Sequence, residues 1–219
     1  MTAFDFGLEP VPAHQHPNGG GWVADSAQVD ESAYVGIDAR VYGNAQVSGN
    51  AQAYGNARVY GNARVYGNAQ VSGNAQVYGN ARAYGDAQVY GNAWAYGDAQ
   101  VYGDAQVSGN AQVYGNAQVS GNAWVSGDAQ VYGDARVSGN ARVCGNAWVN
   151  GPTRSDNYQF IYTPCADGEW RVIAGCRYFT MGEARAHWQA TRADTRLGNE
   201  TFAILDYLEA ARKIVEANR

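Results

Sequence analysis

The chain has 219 residues and a net charge of -5, which excludes the strongly basic character of a general nucleic-acid binder. Hydrophobic residues make up 46% of it, but most of these are Ala, Val and Tyr, and no stretch is long and apolar enough for a membrane span. An odd number of cysteines (Cys144, Cys165 and Cys176) without a signal peptide predicts reduced thiols in a cytoplasmic protein.

Residues 1–18 form a leader that we predict to be extended. The leader lacks the basic start and the apolar core of a secretory signal. His14 and His16 are spaced so that they could chelate a metal ion, but we favour a flexible leader that binds none. We predict no metal site and no cofactor in this chain.

An internal repeat dominates residues 19–150. From Gly43 to Asn150 the sequence divides into eighteen consecutive hexads, each beginning with Gly, then Asn or Asp, then Ala. The fifth residue of the hexad is Val with three alanine exceptions, and four looser hexads precede the array. A fixed period of short units indicates a solenoid, in which each coil buries only a thin column of side chains.

The hexad can be converted into geometry. Alternate side chains of a strand point to opposite faces, so Ala and Val point inward while the fourth and sixth residues point outward. Gly followed by Asn or Asp forms a corner because these residues tolerate positive φ. Three sides close a triangular coil of 18 residues, and seven coils at about 4.8 Å spacing give a prism roughly 35 Å long. The predicted fold class is mainly β, a parallel β-helix with a small α+β cap.

Every third hexad lies on the same side of such a coil. One side then carries an unbroken column of tyrosines, namely Tyr42, Tyr60, Tyr78, Tyr96, Tyr114 and Tyr132. A neighbouring column on that side includes Trp94 and Trp148. These aromatic residues can form a ladder that joins successive coils, a subunit interface, where Tyr and Trp are enriched, or a ligand groove. The six tyrosines and the two tryptophans are therefore candidates for a subunit interface.

Composition changes at Gly151, and residues 151–219 predict a cap made of a hairpin and two helices. Strands over 159–164 and 170–175 flank an Asp-Gly turn. Thr180 and Glu183 form a capping-box pattern that starts the first helix, and the second helix is predicted over 201–217. The cap is too small for an independent core, so it should pack on the open end of the solenoid or on a neighbouring subunit.

The repeats resemble bacterial hexapeptide-repeat proteins, which place a Gly-Asp or Gly-Asn corner between an aliphatic and a small residue. That resemblance implies a left-handed β-helix and a homotrimer. The array of hexads such as GNARVY, GNAQVS and GNAWVS and the ending EWRVIAGCRYFTMGEARAHW further resemble a phage and prophage type of protein. Its tail has a Gly-Cys and aromatic-Thr signature, which here falls on Gly175, Cys176, Phe179 and Thr180.

The enzymes of the hexapeptide family depend on histidines that this repeat array lacks. The family's acyltransferases use a His near a subunit interface, and its solenoid carbonic anhydrases bind zinc through three. Here the histidines are His14, His16 and His187, all outside the repeats. We therefore predict a non-enzymatic protein without a catalytic residue.

The remaining polar cluster lies in the cap and consists of Arg171, Arg177, Tyr178, His187, Trp188, Arg192 and Arg196. Arg forks suit phosphates and aromatic rings stack on bases, so the cluster is either a solvated surface or a pocket for a small anionic, nucleotide-like ligand. Three functions follow as hypotheses. The first is sequestration of such a ligand, for example a signal of host defence. The second is a structural or assembly module of a virion or prophage, and the third, which we disfavour, is a hexapeptide acyltransferase.

Overall fold

Residues 19–144 wind into a parallel β-solenoid, in a computed structural model that describes residues 2–7, 9–144, 149–164, 168–175 and 177–217. Each coil contributes one short strand to each of three parallel sheets, which we call faces 1, 2 and 3. Strands pair with a step of 18 residues, as when Gln76 lies beside Arg58 on one side and Trp94 on the other. The predicted fold class is therefore confirmed, while the handedness stays a prediction.

The three faces contain seven solenoid strands each. Face 1 consists of Trp22–Ala24, Arg40–Val41, Arg58–Val59, Gln76–Val77, Trp94–Ala95, Gln112–Val113 and Gln130–Val131. Face 2 consists of Gln28–Val29, Gln46–Val47, Arg64–Gly67, Arg82–Gly85, Gln100–Gly103, Gln118–Val119 and Arg136–Val137. Face 3 consists of Tyr34–Val35, Gln52–Ala53, Gln70–Val71, Gln88–Val89, Gln106–Val107, Trp124–Ser126 and Arg142–Cys144.

The hexad positions take the roles that their chemistry predicts. From Ala45 to Val143 the third and fifth residues of the hexads are buried, and together they form one continuous core along the solenoid axis. Backbone N–H groups donate to the next coil, as from Gln46 to the Ala63 carbonyl at 2.9 Å. These inter-coil hydrogen bonds satisfy the buried backbone, so small side chains are sufficient to fill the narrow interior.

The leader contains two extended strands that fold onto face 1 as a hairpin. Its strands Ala3–Phe4 and Val11–Gln15 pair antiparallel, and the second pairs with Trp22–Ala24. The Phe4 ring stacks on Trp22 at 4.4 Å, and Phe6 is only 4% exposed. The hairpin thus covers the first strand of face 1, which would otherwise be an open sheet edge.

The cap consists of a four-stranded antiparallel sheet followed by two helices. The cap strands are Val149–Asn150, Phe160–Pro164, Trp170–Ala174 and Arg177–Phe179. The helices are α1 (Met181–Arg192) and α2 (Arg196–Ala217). The predicted hairpin and capping box are present, whereas the strand Arg177–Phe179 had no prediction. The repeat predicts Val149–Asn150 as part of the last solenoid hexad, but these residues pair antiparallel with Tyr162 and Ile161 and belong to the cap sheet.

Helix α2 begins at Arg196, five residues before the predicted start at Thr201. The Thr195 hydroxyl accepts the N–H of Gly198 at 3.0 Å, which caps this first turn. Gly198 does not break the helix but permits a close approach, because a Cβ there would lie 1.9 Å from the Arg192 carbonyl oxygen.

The cap seals the last coil of the solenoid, one of the two placements that its size predicts. Ile161 and Ile173 of the cap sheet join the solenoid's Ala and Val core. The Cys144 Sγ lies 3.6 Å from the Pro164 carbonyl oxygen at the same junction. Cys165 and Cys176 lie outside the described residues. Within the part of the chain that is described, no helix is long and apolar enough to cross a bilayer.

Candidate functional site

The tyrosines of face 1 stack on one another along the solenoid. Successive ring centroids from Tyr42 to Tyr132 lie 4.8–5.2 Å apart. The Tyr60 hydroxyl donates to Gln76 Oε1 at 3.0 Å, and the hydroxyls of Tyr96 and Tyr114 make the equivalent contact at 3.3 Å. The column therefore has the geometry of an intramolecular ladder.

One of the two tryptophan interface candidates, Trp94, packs beside the tyrosine column. Trp94 is 39% exposed on face 1 and packs edge-on against Tyr78, with ring centroids 6.4 Å apart. Trp148 lies outside the described residues. A role for this side in subunit contacts stays a prediction.

The candidate binding site is a cleft of about 160 Å³ in the cap. It lies between the strand Arg177–Phe179, helix α1 and the loop that follows Gly151. Its lining residues are Arg154, Tyr158, Arg177, His187, Trp188, Thr191 and Arg192. Arg177, His187, Trp188 and Arg192 belong to the predicted cluster, whereas Arg154, Tyr158 and Thr191 do not.

The capping box fixes the start of α1 and so positions its cleft residues. Glu183 N–H donates to Thr180 Oγ1 at 3.2 Å, and Thr180 N–H donates to the Glu183 carboxylate at 2.8 Å. Helix α1 then buries Trp188 against Phe160 and Phe179 of the cap sheet. The preceding residue, His187, consequently faces the edge strand that carries Arg177.

Arg177 and His187 form a hydrogen bond that determines the histidine tautomer. Arg177 Nε donates to His187 Nε2 at 2.9 Å. A guanidinium can only donate, so Nε2 carries no proton and Nδ1 carries the proton of the neutral ring. Burial lowers the pKa of His187, and the charges of Arg177 and Arg192 lower it further. The neutral ring therefore offers its remaining nitrogen as a hydrogen-bond donor.

Two of the three cleft arginines form no ion pair with a carboxylate of the described residues. Within the described residues, neither Arg177 nor Arg192 has a carboxylate oxygen within 4.0 Å. Arg154 differs because all three of its bonded nitrogens have acceptors. Its Nε and Nη2 donate to the Asp156 carboxylate at 2.8 and 2.7 Å, and its Nη1 donates to the Thr201 hydroxyl at 2.8 Å. Arg154 thus holds the wall of the cleft, and the other two arginines supply net charge.

A larger groove of about 900 Å³ continues from the cleft to the last coil of the solenoid. Tyr158 and Arg177 line both cavities. The solenoid contributes Asp134, Arg136 and Ser138 to the groove, and the cap contributes Thr153, Asp156, Asn157, Gln159 and Gly175. The cleft and groove together form a continuous polar surface at the junction of solenoid and cap.

Comparison with known families agrees with the repeat and its geometry. The family model described as the YdcK beta solenoid repeat matches residues 39–55, 51–67, 57–73, 69–85, 75–91, 99–115, 105–119, 111–127, 117–133 and 129–145. The chain is a β-solenoid repeat protein. No curated protein and no solved structure matches it. The matched segments lie within the solenoid, so the phage type and the tail signature of this repeat protein stay predictions.

Three residues of the predicted cluster lie away from the cleft of the repeat protein. Tyr178 packs against the solenoid core, because alternate side chains of its strand point to opposite sides and Arg177 takes the cleft side. Arg171 belongs to the strand Trp170–Ala174 rather than to the strand that carries Arg177, and its Nη1 lies 3.9 Å from the Glu169 carboxylate. Arg196 contacts Glu200 at 3.3 Å and the Ser155 hydroxyl at 2.8 Å at the start of α2.

The leader histidines of the repeat protein both have protein partners. His14 Nδ1 lies 2.9 Å from the Asp25 carboxylate, and His16 is 3% exposed with its ring beside Asn18. Among the residues that the structure describes, no three His, Cys, Asp or Glu side chains lie together as metal ligands would.

Proposed function

We propose that this repeat protein is a non-enzymatic binding protein whose cap cleft receives a small anion with a phosphate-like group. The observation that supports this proposal is the set of donors formed by Arg177, His187 and Arg192. A guanidinium and a neutral imidazole with Nδ1 protonated present only N–H groups to the cleft. Such a set favours a ligand that is rich in acceptors and negatively charged.

The size of the cleft limits which part of a ligand it can hold. Drug-sized ligands occupy pockets of about 300–1,000 Å³, whereas the cleft measures about 160 Å³. It suits a single phosphate-like group, and the adjoining groove of about 900 Å³ has room for the remainder of a nucleotide-like molecule. If the protein is of the phage type, nucleotide signals of host defence are the ligands to test first.

The hydrogen bond between Arg177 and His187 also argues against acid–base catalysis. A general base needs a free lone pair at a reacting proton, and the Nε2 lone pair of His187 already accepts from Arg177 at 2.9 Å. We infer that His187 orients and binds rather than transfers protons.

Isothermal titration calorimetry with sulfate, AMP, ADP-ribose and cyclic di- and trinucleotides tests the proposal. We expect Arg177→Gln and Arg192→Gln each to weaken binding at least tenfold, since each removes one of the two uncompensated charges. Arg196→Gln is the matched control, because that exposed arginine already pairs with Glu200 outside the cleft. Absence of heat with every probe, or an equal loss in the control, would overturn the proposal.

A structural or assembly role is the second candidate, and the side-chain ladders favour it. Along one corner, each side-chain amide donates to the equivalent residue one coil further along, at 3.0–3.4 Å. The pairs are Asn44 to Asn62, Asn62 to Asn80 and Asn80 to Asp98. Together with the tyrosine stacks, these bonds suit the solenoid to act as a stiff spacer. Electron microscopy would distinguish this role, since a spacer predicts ordered end-to-end or lateral assemblies without added ligand.

A further inference from the structure

Helix α2 carries a second apolar stripe on the side away from the cap core. The core side contains Thr201, Leu205 and Leu208, all buried. The opposite side exposes residues spaced by four, three, four and three, namely Ala203, Tyr207, Ala210, Ile214 and Ala217. Tyr207 is 49% exposed and Ile214 is 65% exposed. This spacing is that of a coiled-coil seam, the surface through which one helix packs on another.

We propose that this stripe binds the same stripe of a second copy of the chain, with the two α2 helices antiparallel. Small and large side chains alternate along the stripe, so two copies interdigitate only where a large residue faces an alanine. An antiparallel register achieves this at each large position. Tyr207 faces Ala210 of the second copy, and Ile214 faces its Ala203. A parallel, in-register pair would instead place Tyr207 against Tyr207 and leave gaps between alanines.

The same register brings opposite charges together beside the seam. Asp206 precedes Tyr207, and Lys213 precedes Ile214, so both flank the stripe on one side. In the antiparallel pair, Asp206 of each copy lies beside Lys213 of the other, which gives two equivalent ion pairs. The Asp206 side chain is 69% exposed, and Arg185 occupies its Oδ1 at 2.7 Å, so Oδ2 can accept from the second copy.

An apolar groove lies where the register needs space for the largest exposed side chain. The groove measures about 400 Å³ and is lined by Pro152, Thr153, Arg154, Ser155, Glu200, Ala203 and Ile204. Ile214 of the second copy faces Ala203 and would enter this groove. Size alternation, charge placement and groove position therefore agree on one antiparallel arrangement.

The expected contact is small, which determines the concentration range of the test. Residues 200–217 overlap over about 27 Å of helix, and a stripe roughly 10 Å wide then gives a footprint of about 270 Å² per copy. Stable interfaces bury about 800 Å² per partner. Since the footprint is about a third of that area, we expect a weak dimer that forms in the submillimolar range.

Sedimentation velocity of the full chain between about 10 µM and 1 mM tests the seam. The wild type should shift from monomer to dimer, and Ile214→Asp should remain monomeric throughout. Ala186→Asp adds the same charge at an exposed position of α1 and should dimerise like the wild type. A wild type that stays monomeric, a stoichiometry other than two (including the trimer that the hexapeptide-repeat resemblance implies), or association unaffected by Ile214→Asp would overturn the proposal.

Charge exchange tests the antiparallel register separately. Asp206→Lys and Lys213→Asp should each weaken self-association about tenfold, because each places like charges together twice. An equimolar mixture of the two variants restores both ion pairs and should form a heterodimer at wild-type strength. Glu209→Lys is the control for Asp206→Lys, because Glu209 also bonds Arg185, at 2.9 Å, but does not flank the seam. A mixture that remains monomeric would contradict the register, and sulfate binding by Ile214→Asp shows independently whether the anion cleft is intact.

Discussion

The corner glycines make the tightest contacts between coils, and two of them form a matched pair for mutation. Gly109 has φ +67°, and a Cβ there would lie 2.9 Å from the backbone nitrogen of Gly127. Gly133 has φ +62°, but a Cβ there would meet nothing within 4 Å. Alanine costs roughly 1–2 kcal/mol in the left-handed region at either site. Overpacking adds roughly 1–3 kcal/mol at Gly109 alone.

We therefore expect Gly133→Ala to lower the free energy of unfolding by about 1–2 kcal/mol and Gly109→Ala to lower it by about 2–5 kcal/mol. Gly127 cannot easily move away, because its carbonyl accepts the Asn110 N–H at 2.8 Å. Urea denaturation followed by far-UV circular dichroism measures both variants. Repeat arrays can unfold in more than one step. If unfolding shows more than one transition, the urea midpoints of the two variants are compared instead of their free energies of unfolding. Losses that agree within about 0.5 kcal/mol would refute the role of coil stacking.

Three further predictions follow from individual contacts. Tyr60→Phe removes the hydroxyl bond to Gln76 but keeps both ring stacks, so it should cost about 0.5–1.5 kcal/mol by thermal denaturation; a loss as large as that of Tyr60→Ala would contradict the ladder. Arg154→Ala removes three charge-assisted hydrogen bonds, two of them to Asp156, and should destabilise the cap by roughly 2–4 kcal/mol. Urea titration followed by tryptophan fluorescence measures this loss, and an unchanged stability would show that Arg154 does not hold the wall of the cleft. Sulfate should raise the pKa of His187, because an anion opposes the two guanidinium charges that lower it. Sulfate affinity should then increase as the pH falls through the histidine range. NMR of the imidazole measures this shift, and a pKa that sulfate leaves unchanged would place the anion elsewhere.

The sequence was sufficient to predict the solenoid because one constraint repeats without interruption. Every hexad must bury two small side chains and turn a corner, so the pattern specifies strand, corner and coil length together. The cap lacks such redundancy. The apolar pattern predicts the second helix from Thr201, whereas α2 begins at Arg196 and includes Gly198, which permits close contact with the Arg192 carbonyl oxygen. The short strand Arg177–Phe179 carries no alternation that would distinguish it from a loop.

The candidate cleft was only partly predictable, for reasons of side-chain direction and chain folding. Composition alone grouped Arg177 with Tyr178, but neighbours on a strand point to opposite sides. Arg154 and Tyr158 lie in a loop without periodicity, and folding brings this loop against α1. The exposed stripe of α2 was detectable in the sequence by its spacing of four and three. The stripe around Leu205 and Leu208 alone, however, already accounts for α2 as an amphipathic helix.

The regularity of the solenoid also explains why a specific site should lie where the repeat ends. Within a corner ladder, successive Asn amides donate to the next coil, and Asp98 ends one such run by accepting from Asn80 at 3.0 Å. An aspartate has no amide proton to pass on, so it stops the run without leaving a donor exposed. Several tyrosine hydroxyls, including those of Tyr60, Tyr96 and Tyr114, likewise donate to glutamines of the next coil. Where the repeat ends, the cap adds Arg177 and Arg192, which line a cleft together with His187.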